Sequence, residues 1–322
     1  MKNIKLLPIL LFIFFPVCAQ NNVPRVYISN GQIKALLYLP DNAKGYYRGT
    51  RFDRSGIVAS LKYEGHEFFG KWFDKYDPFT HDAIMGPVEE FGEEGYENTP
   101  LGGTFLKLGV GLLIKPDAKP YDHFRLYPFK NPGKWKVKTS GDEVVYIQTL
   151  KDESYSYIYE KHIRLTAGKP EMVISHRLRN IGKLPLSTNV YDHNFPVIDK
   201  QAVGPGYVIS FPFKITGSFD GPDKLLYIND KKLTYQRDQT LSDMLYIDDL
   251  PGYSDSSKDY DFRYENLKAG AGFRVTGDKP IIKLAYWSST TTVCAEPYIK
   301  VEVQPGEEIT WELKYEFYQL KN

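Results

Sequence analysis

The chain is patterned for strands. From Ile309 onward, Ile309, Trp311, Leu313, Tyr315 and Phe317 alternate with Thr310, Glu312, Lys314 and Glu316. A period of two puts one set on a buried face and the other in water. Ile299, Val301 and Val303 alternate in the same way with Lys300, Glu302 and Gln304, and Pro305-Gly306 separates the two runs. That layout predicts a hairpin or close neighbours. Met172, Ile174, His176 and Leu178 alternate with Val173, Ser175, Arg177 and Arg179 until Asn180-Ile181-Gly182 breaks the run. Segments 57–63, 107–114, 143–150 and 281–287 are also expected as strands. No window longer than about ten residues holds a clean 3.6-residue apolar repeat free of Gly and Pro. The 26 Gly and 21 Pro are scattered as turn punctuation, and residues 251–261 are polar enough to be a surface loop. The pattern predicts an all-β fold, a large antiparallel β-sandwich, with residues 20–322 as a single domain.

The first residues are patterned differently. A short basic start with Lys2 and Lys5 precedes an apolar run from Leu6 to Val17, then Cys18-Ala19. This is the layout of an export signal over residues 1–19, cleaved near Ala19. The run is short for a membrane span. A lipid anchor on Cys18 would want a small residue just before it, and Val17 stands there. The mature chain is thus expected in the periplasm or outside the cell. It would keep one cysteine, Cys294, and so no internal disulfide.

Composition narrows the partners. With 42% apolar and 25% charged residues the chain has the makeup of a folded protein. The formal charge of +1 gives no electrostatic reason to hold nucleic acid or an anionic membrane. Aromatic content is high, at 15% with 25 Tyr and 19 Phe. Such residues suit strands, and they also offer flat surfaces on which sugar rings stack. The mature chain is expected to act without a membrane span, as a monomer or weak dimer.

Standard catalytic motifs are absent. There is no phosphate-cradling glycine loop, no Gly-x-Ser-x-Gly elbow and no Cys-x-x-Cys, and His66-Glu67 is followed by Phe68-Phe69-Gly70 rather than by a second zinc-binding histidine. Cys294 in a strand fits an inert core thiol better than a nucleophile. Two segments carry chemistry. In Tyr191-Asp192-His193-Asn194-Phe195, a histidine ends a strand-like run; local hydrogen bonding would also account for it. In Val293-Cys294-Ala295-Glu296-Pro297, a carboxylate follows an apolar trio. In a protected position it needs partners or a raised pKa, as a general base does; at an edge it would simply face water.

Together these segments resemble the aldose 1-epimerase (galactose mutarotase-like) superfamily. The resemblance rests on Tyr191-x-His193-Asn194-Phe195, then about a hundred residues on Cys294-x-Glu296-Pro297, then Pro305-Gly306-Glu307-x-x-x-Trp311. Lys107-Leu108-Gly109-Val110-Gly111 is similar to the family's middle strands, and Gly45 to Phe52 sit where the family places an arginine on its sugar-binding face; the partner this resemblance implies is a small-molecule sugar or oligosaccharide. The resemblance implies a β-sandwich with sugar on a concave face, His193 as general acid and Glu296 as general base. It also implies that Arg48 or Arg51 contacts sugar hydroxyls and that His81 stands in for a second, substrate-contacting histidine. The chain departs from the family by lacking a His-Gly-Gly run and the usual Asn-Arg; Gly86-Pro87-Val88-Glu89-Glu90-Phe91-Gly92 lies there instead. Glu89 and Glu90 are either surface charges or sugar contacts. Tyr191 and Asn194 flank the histidine and are expected near the substrate. His66, His123, His162 and His176 are expected to be structural.

Anomer interconversion needs one base, one acid and no cofactor or metal, so none is expected. A polysaccharide lyase using Tyr191, a glycoside hydrolase, or a carbohydrate-binding protein without catalysis would suit the same scaffold.

Overall fold

The computed structural model describes residues 23–216 and 225–321. The expected export signal, with Cys18 and the cleavage position, lies outside the described residues. Among the described residues no helix is long and apolar enough to cross a membrane.

The expected antiparallel β-sandwich forms. Its larger layer is a ten-stranded sheet in the order Lys134–Thr139, Glu143–Leu150, Tyr157–Leu165, Glu171–Asn180, Glu308–Gln319, Ala271–Gly277, Asp261–Asn266, Tyr207–Ser210, Lys232–Tyr235 and Leu226–Asn229. The alternating runs explain the register. Met172 pairs with Tyr315, Ile174 with Leu313 and His176 with Trp311, so both inward sets share one face. The facing layer has five strands in the order Leu245–Ile247, Lys283–Ser288, Val293–Val303, Leu186–His193 and Val88–Phe91. Their inner residues, Leu245, Leu284, Ala295, Val301 and Val190 among them, join Ile174, Leu313, Tyr315 and Phe317 in one apolar cluster. Two four-stranded sheets, Arg25–Ser29 to His66–Phe69 and Glu93–Glu94 to Phe129–Asn131, flank the sandwich.

Two expectations are corrected in detail. The runs on either side of Pro305-Gly306 do not pair as a hairpin: Val293–Val303 belongs to the five-stranded sheet and Glu308–Gln319 to the ten-stranded one. Each has one apolar face, and the turn lets those faces meet across the sandwich. Segment 107–114 is not one strand. Thr104–Lys107 and Gly111–Ile114 form a tight hairpin around Gly109. Gly109 has φ +73°, and a Cβ there would lie 2.8 Å from the Asp53 carboxylate, so only glycine fits.

The core is unusually polar between the two layers. Asp53, Glu89, Lys161, His176 and Asp192 are all at most 2% exposed. The Lys161 ammonium pairs with Glu89, lies 3.5 Å from Asp53 Oδ2 and donates to the Ser55 carbonyl at 3.1 Å. His176 Nε2 meets Glu89 Oε1 at 2.6 Å and its ring stacks on Trp311. The Tyr159 hydroxyl donates to Asp53, and that of Tyr315 to Asp192. Two buried tyrosines, Tyr159 and Tyr315, thus serve as rings whose hydroxyls satisfy buried acids.

Burial works against every charge in this cluster, and one ammonium cannot hold three carboxylates ionised. Burial would raise Glu89, but Lys161 and His176 outweigh it and hold Glu89 below the usual range. Burial raises Asp53, which Lys161 only partly offsets. Burial and the charge of Glu89 push Asp192 well above the usual range. The cluster thus approaches a Lys161–Glu89 ion pair with Asp192 biased toward its neutral form, while Asp53, raised less, accepts from Ser55, Tyr159 and Lys161. Two substitutions separate these states. Lys161→Met strands Glu89 and should cost about 3–5 kcal/mol of stability by denaturant unfolding. Asp192→Asn should stay within about 1 kcal/mol of the parent, because it replaces a carboxyl that is already neutral.

Candidate active site

The outer face of the five-stranded sheet carries the chemistry. Strand Leu186–His193 lies between Val293–Val303 and Val88–Phe91. Tyr191 pairs with Tyr298 on one side and with Glu90 on the other. Continuing the first register by two residues sets His193 opposite Glu296. Residues about a hundred apart in sequence meet for this reason, and His193 Nε2 lies 3.2 Å from Glu296 Oε1. The same alternation sends Asp192 and Glu89, which face each other in register, into the buried cluster.

His193 and Glu296 sit on the floor of a cleft of about 450 Å³, within the usual range for a small-molecule site. Aromatic rings enclose the imidazole. Phe195 stacks on it with centroids 3.5 Å apart, and Trp287 and Phe52 meet it edge-on at 5.3 and 6.0 Å. Trp72 stacks on the far side of Phe195 at 5.1 Å. Phe195 reaches this position through a left-handed backbone, φ 45°, which non-glycine residues adopt at a cost of about 1–3 kcal/mol. The packing around the imidazole sustains that strain.

This enclosure sets the histidine's charge. Burial pulls the His193 pKa below its ordinary 6.5, and the hydrogen bond and charge of Glu296 restore only part of the loss. Nδ1 has no partner, so a charged ring would bury an unsatisfied N–H. The neutral ring carrying its proton on Nε2, toward Glu296, fits both facts; this tautomer is assigned from the network.

A second acid lies beside the pair. Glu90 accepts from Arg51 Nε at 2.6 Å and from the Tyr191 hydroxyl, and it lies 3.4 Å from Lys107 Nζ and 3.6 Å from His123 Nδ1. Arg51 also donates to the Tyr191 oxygen at 3.0 Å. Burial would raise Glu90, but Arg51 and Lys107 outweigh it and hold it well below the usual range. Glu90 is therefore an anchor that fixes Arg51 at the cleft wall. Arg51 borders the cleft, packed against the Phe52 and Phe124 rings.

The sequence-derived residues divide accordingly. His193, Glu296, Arg51 and His81 border the cleft, and Tyr191 and Glu90 lie just beneath Arg51. His81 begins a short 3-10 turn, His81–Ala83, and its ring rests on Phe124 at 4.7 Å. Glu89 is not on the cleft; it points into the core against Lys161 and His176. Asn194 also lies behind the cleft, fully buried, accepting from the Tyr315 hydroxyl at 2.9 Å. Arg48 borders a neighbouring groove instead. His123, expected to be structural, lines the cleft, as do Trp72, Phe124 and Tyr246. No spacing in the sequence marks these four: Trp72 comes from one connecting segment, His123 and Phe124 are neighbours in another, and Tyr246 stands on strand Leu245–Ile247; the only hint was Tyr121-Asp122-His123, an acid and an aromatic beside a histidine.

Among the described residues, His193, Cys294 and Glu296 form one trio whose ligand atoms lie within 4.8 Å of one another. It is ill suited to a metal. Metals bind thiolate, yet burial pushes the Cys294 thiol well up, and its sulfur already accepts the Asn194 N–H at 3.2 Å.

No family model and no curated protein matches the sequence. Solved structures do match. A galactose mutarotase-like protein from Clostridium acetobutylicum aligns at TM-score 0.54 and 13% identity, over 92% of this chain and 95% of that one. An aldose epimerase homologue from C. elegans aligns at TM-score 0.53 and 13% identity, over 93% of this chain and 100% of that one. A galactose mutarotase related enzyme from Lactobacillus acidophilus gives TM-score 0.53 and 13% identity, over 92% and 100% of the two chains. The chain has the galactose mutarotase-like fold.

The electrostatics of the pair yield a direct check. Glu296→Gln removes the charge that supports protonation of His193, so the His193 pKa should fall further. Imidazole NMR titration reads this; a rise would contradict the account of burial given above.

Proposed function

We propose that the chain interconverts the anomers of a reducing sugar by general acid–base ring opening in this cleft. The observation that carries the reading is the 3.2 Å approach of His193 Nε2 to Glu296 Oε1 on the cleft floor. In an aldose, the ring oxygen and the anomeric hydroxyl are bonded to the same carbon. Two groups that converge on one spot can address both oxygens at once.

The steps follow from that placement. Glu296 removes the proton of the anomeric hydroxyl. His193, in its imidazolium form, gives a proton to the ring oxygen. The bond between that oxygen and the anomeric carbon breaks, leaving a carbonyl and a free hydroxyl. Rotation about one carbon–carbon bond presents the other carbonyl face, and reclosure returns both protons. Arg51, fixed by Glu90 and Tyr191, offers its remaining N–H donors to sugar hydroxyls. Trp72, Trp287 and Phe124 supply apolar faces for the ring.

Two alternatives fit the geometry less well. Glycoside hydrolases ordinarily use two carboxyl groups about 5–5.5 Å or about 6.5–9.5 Å apart. Here the partner of Glu296 is an imidazole, and the next acid, Glu90, is held by Arg51 and Lys107. A lyase base at Tyr191 would need a lowered pKa, whereas burial pushes that phenol well up and it donates to Glu90. Export of the mature chain, read from residues 1–19, belongs to the same proposal.

Polarimetry of freshly dissolved hexoses, pentoses, deoxy sugars and uronic acids tests the reaction. Acceleration on one class should drop by about 10²–10⁴-fold in Glu296→Gln and in His193→Asn. No acceleration of any sugar, or an unaffected Glu296→Gln variant, would overturn the reading. The pH profile has a defined sign. The acid must be protonated, and burial lowers its pKa, so kcat/KM should decline as pH rises through a value below 6.5.

A further inference from the structure

Beside the cleft lies a second hollow of about 400 Å³. The two share a partition made by three chain segments, each of which sends one residue to either side. Arg51, His81 and Phe124 border the cleft, while Arg48, Phe79 and Leu126 border the groove. The groove is otherwise apolar in character, with Phe79 and Leu126 left 46% and 49% exposed at its lip.

Its charged groups are two guanidiniums without an ion-pair partner among the described residues; the Asp41 carboxylate feels Arg48 only from beyond ion-pair distance. Arg54 is 5% exposed, and its N–H groups reach only neutral acceptors: the Gly49 and Arg48 carbonyls and Asn42 Oδ1. Arg48 donates to the Ala43 carbonyl at 2.7 Å, and its Nε is buried without a partner. Among the described residues no carboxylate lies within ion-pair distance of either. Arg48 stacks over Phe79 at 4.5 Å and Arg54 over Phe129 at 4.4 Å, which fixes the planes of both forks. Burial, with the like charge of Arg48 adding to it, brings Arg54 down to about 10. Holding two cations in an apolar hollow with no carboxylate in direct contact is costly, and an incoming anion relieves that cost. Planar forks match carboxylate and sulfate oxygens in pairs.

We infer that this groove is a subsite for a negatively charged sugar unit, a uronate or a sulfated residue, whose charge pairs with Arg48 and Arg54. The flat faces of Phe79 and Phe129 and the exposed Leu126 suit a ring rather than a bare ion. The anion site stands on the arginines alone. That the same saccharide also places its reducing end in the neighbouring cleft rests on the mutarotation reading above, and it makes the substrate class an acidic oligosaccharide.

Calorimetric titration tests the subsite separately from catalysis. The full chain at low salt is titrated with trigalacturonate, a sulfated trisaccharide, a neutral trisaccharide and inorganic sulfate. At least one acidic trisaccharide should bind about tenfold or more tightly than the neutral one, the usual worth of a charge-assisted hydrogen bond, and added salt should erode the difference. Arg48→Gln should abolish that preference. Leu126→Trp, an exposed position that fills the groove without disturbing the core, should do the same and guards against a folding defect in the arginine variant. Equal binding of acidic and neutral trisaccharides, or a preference that survives both substitutions, would overturn the inference. Inorganic sulfate binding as tightly as the sulfated trisaccharide would overturn the assignment to a sugar. Polarimetry on the same samples separates the two proposals: acidic-sugar binding without acceleration of any sugar would reject mutarotation and leave the subsite standing.

Discussion

The site depends on one strand pair that carries polar side chains on both faces. In Val88–Phe91 and Leu186–His193, Glu89 and Asp192 point into the sandwich while Glu90, Tyr191 and His193 face the other side, His193 on the cleft and the other two beneath Arg51. A period-two strand with one buried face would normally put apolar residues inward. Here Phe91, Leu186 and Val190 do so, but Glu89 and Asp192 also face inward, and they are tolerated because Lys161, His176, Tyr159 and Tyr315 meet them or their neighbour Asp53 from the opposing sheet and the core. A one-residue slip of either strand would exchange the two sets. The buried ion pair therefore acts as a register mark: only one alignment gives every inward acid a partner and also brings His193 to Glu296.

The two faces then handle charge in opposite ways. Inside the sandwich, burial drives the cluster toward neutrality, with one ion pair and raised carboxyls at Asp53 and Asp192. On the cleft side, Glu90 stays ionised because Arg51 and Lys107 surround it. His193 lies between these regimes. Its aromatic enclosure disfavours the charged ring, Glu296 favours it, and burial wins. A proton donor held near its neutral form is a stronger acid when it does carry the proton, which suits the acid role proposed for His193.

The fold is shared with mutarotase-like proteins at 13% identity, a level at which the scaffold persists while its lining is free to change. Around the His193–Glu296 pair this chain places an aromatic and basic lining. Histidines 81 and 123 stand on Phe124 at one wall, and Trp72, Trp287 and Tyr246 line the rest. Arg48 and Arg54 open a second, cationic hollow behind the same wall. Trp287 and Tyr246 stand on strands of the five-stranded sheet, whereas Trp72, His81, His123, Phe124, Arg48 and Arg54 come from connecting segments, which vary more freely than the strands they join.

The sequence by itself determined the strands, and with them the sandwich. Alternation in 171–180 and 308–319 was enough to mark both strands and their buried faces, because a strand's two sides are written directly into its period. It also singled out His193 and Glu296, since a histidine at a strand end and an acid after an apolar trio are locally odd. It could not separate Glu89 from Glu90: the two are adjacent, chemically identical, and distinguished only by which side of one strand faces the core. Nor could it place Arg48, Arg51 and Arg54, which share a turn yet divide between a cleft wall and a separate groove. Those outcomes belong to the tertiary structure. Pairing register, the turn that carries the chain between sheets at Pro305-Gly306, and the side from which Lys161 approaches are long-range facts, and local sequence carries no energy term for a partner a hundred residues away.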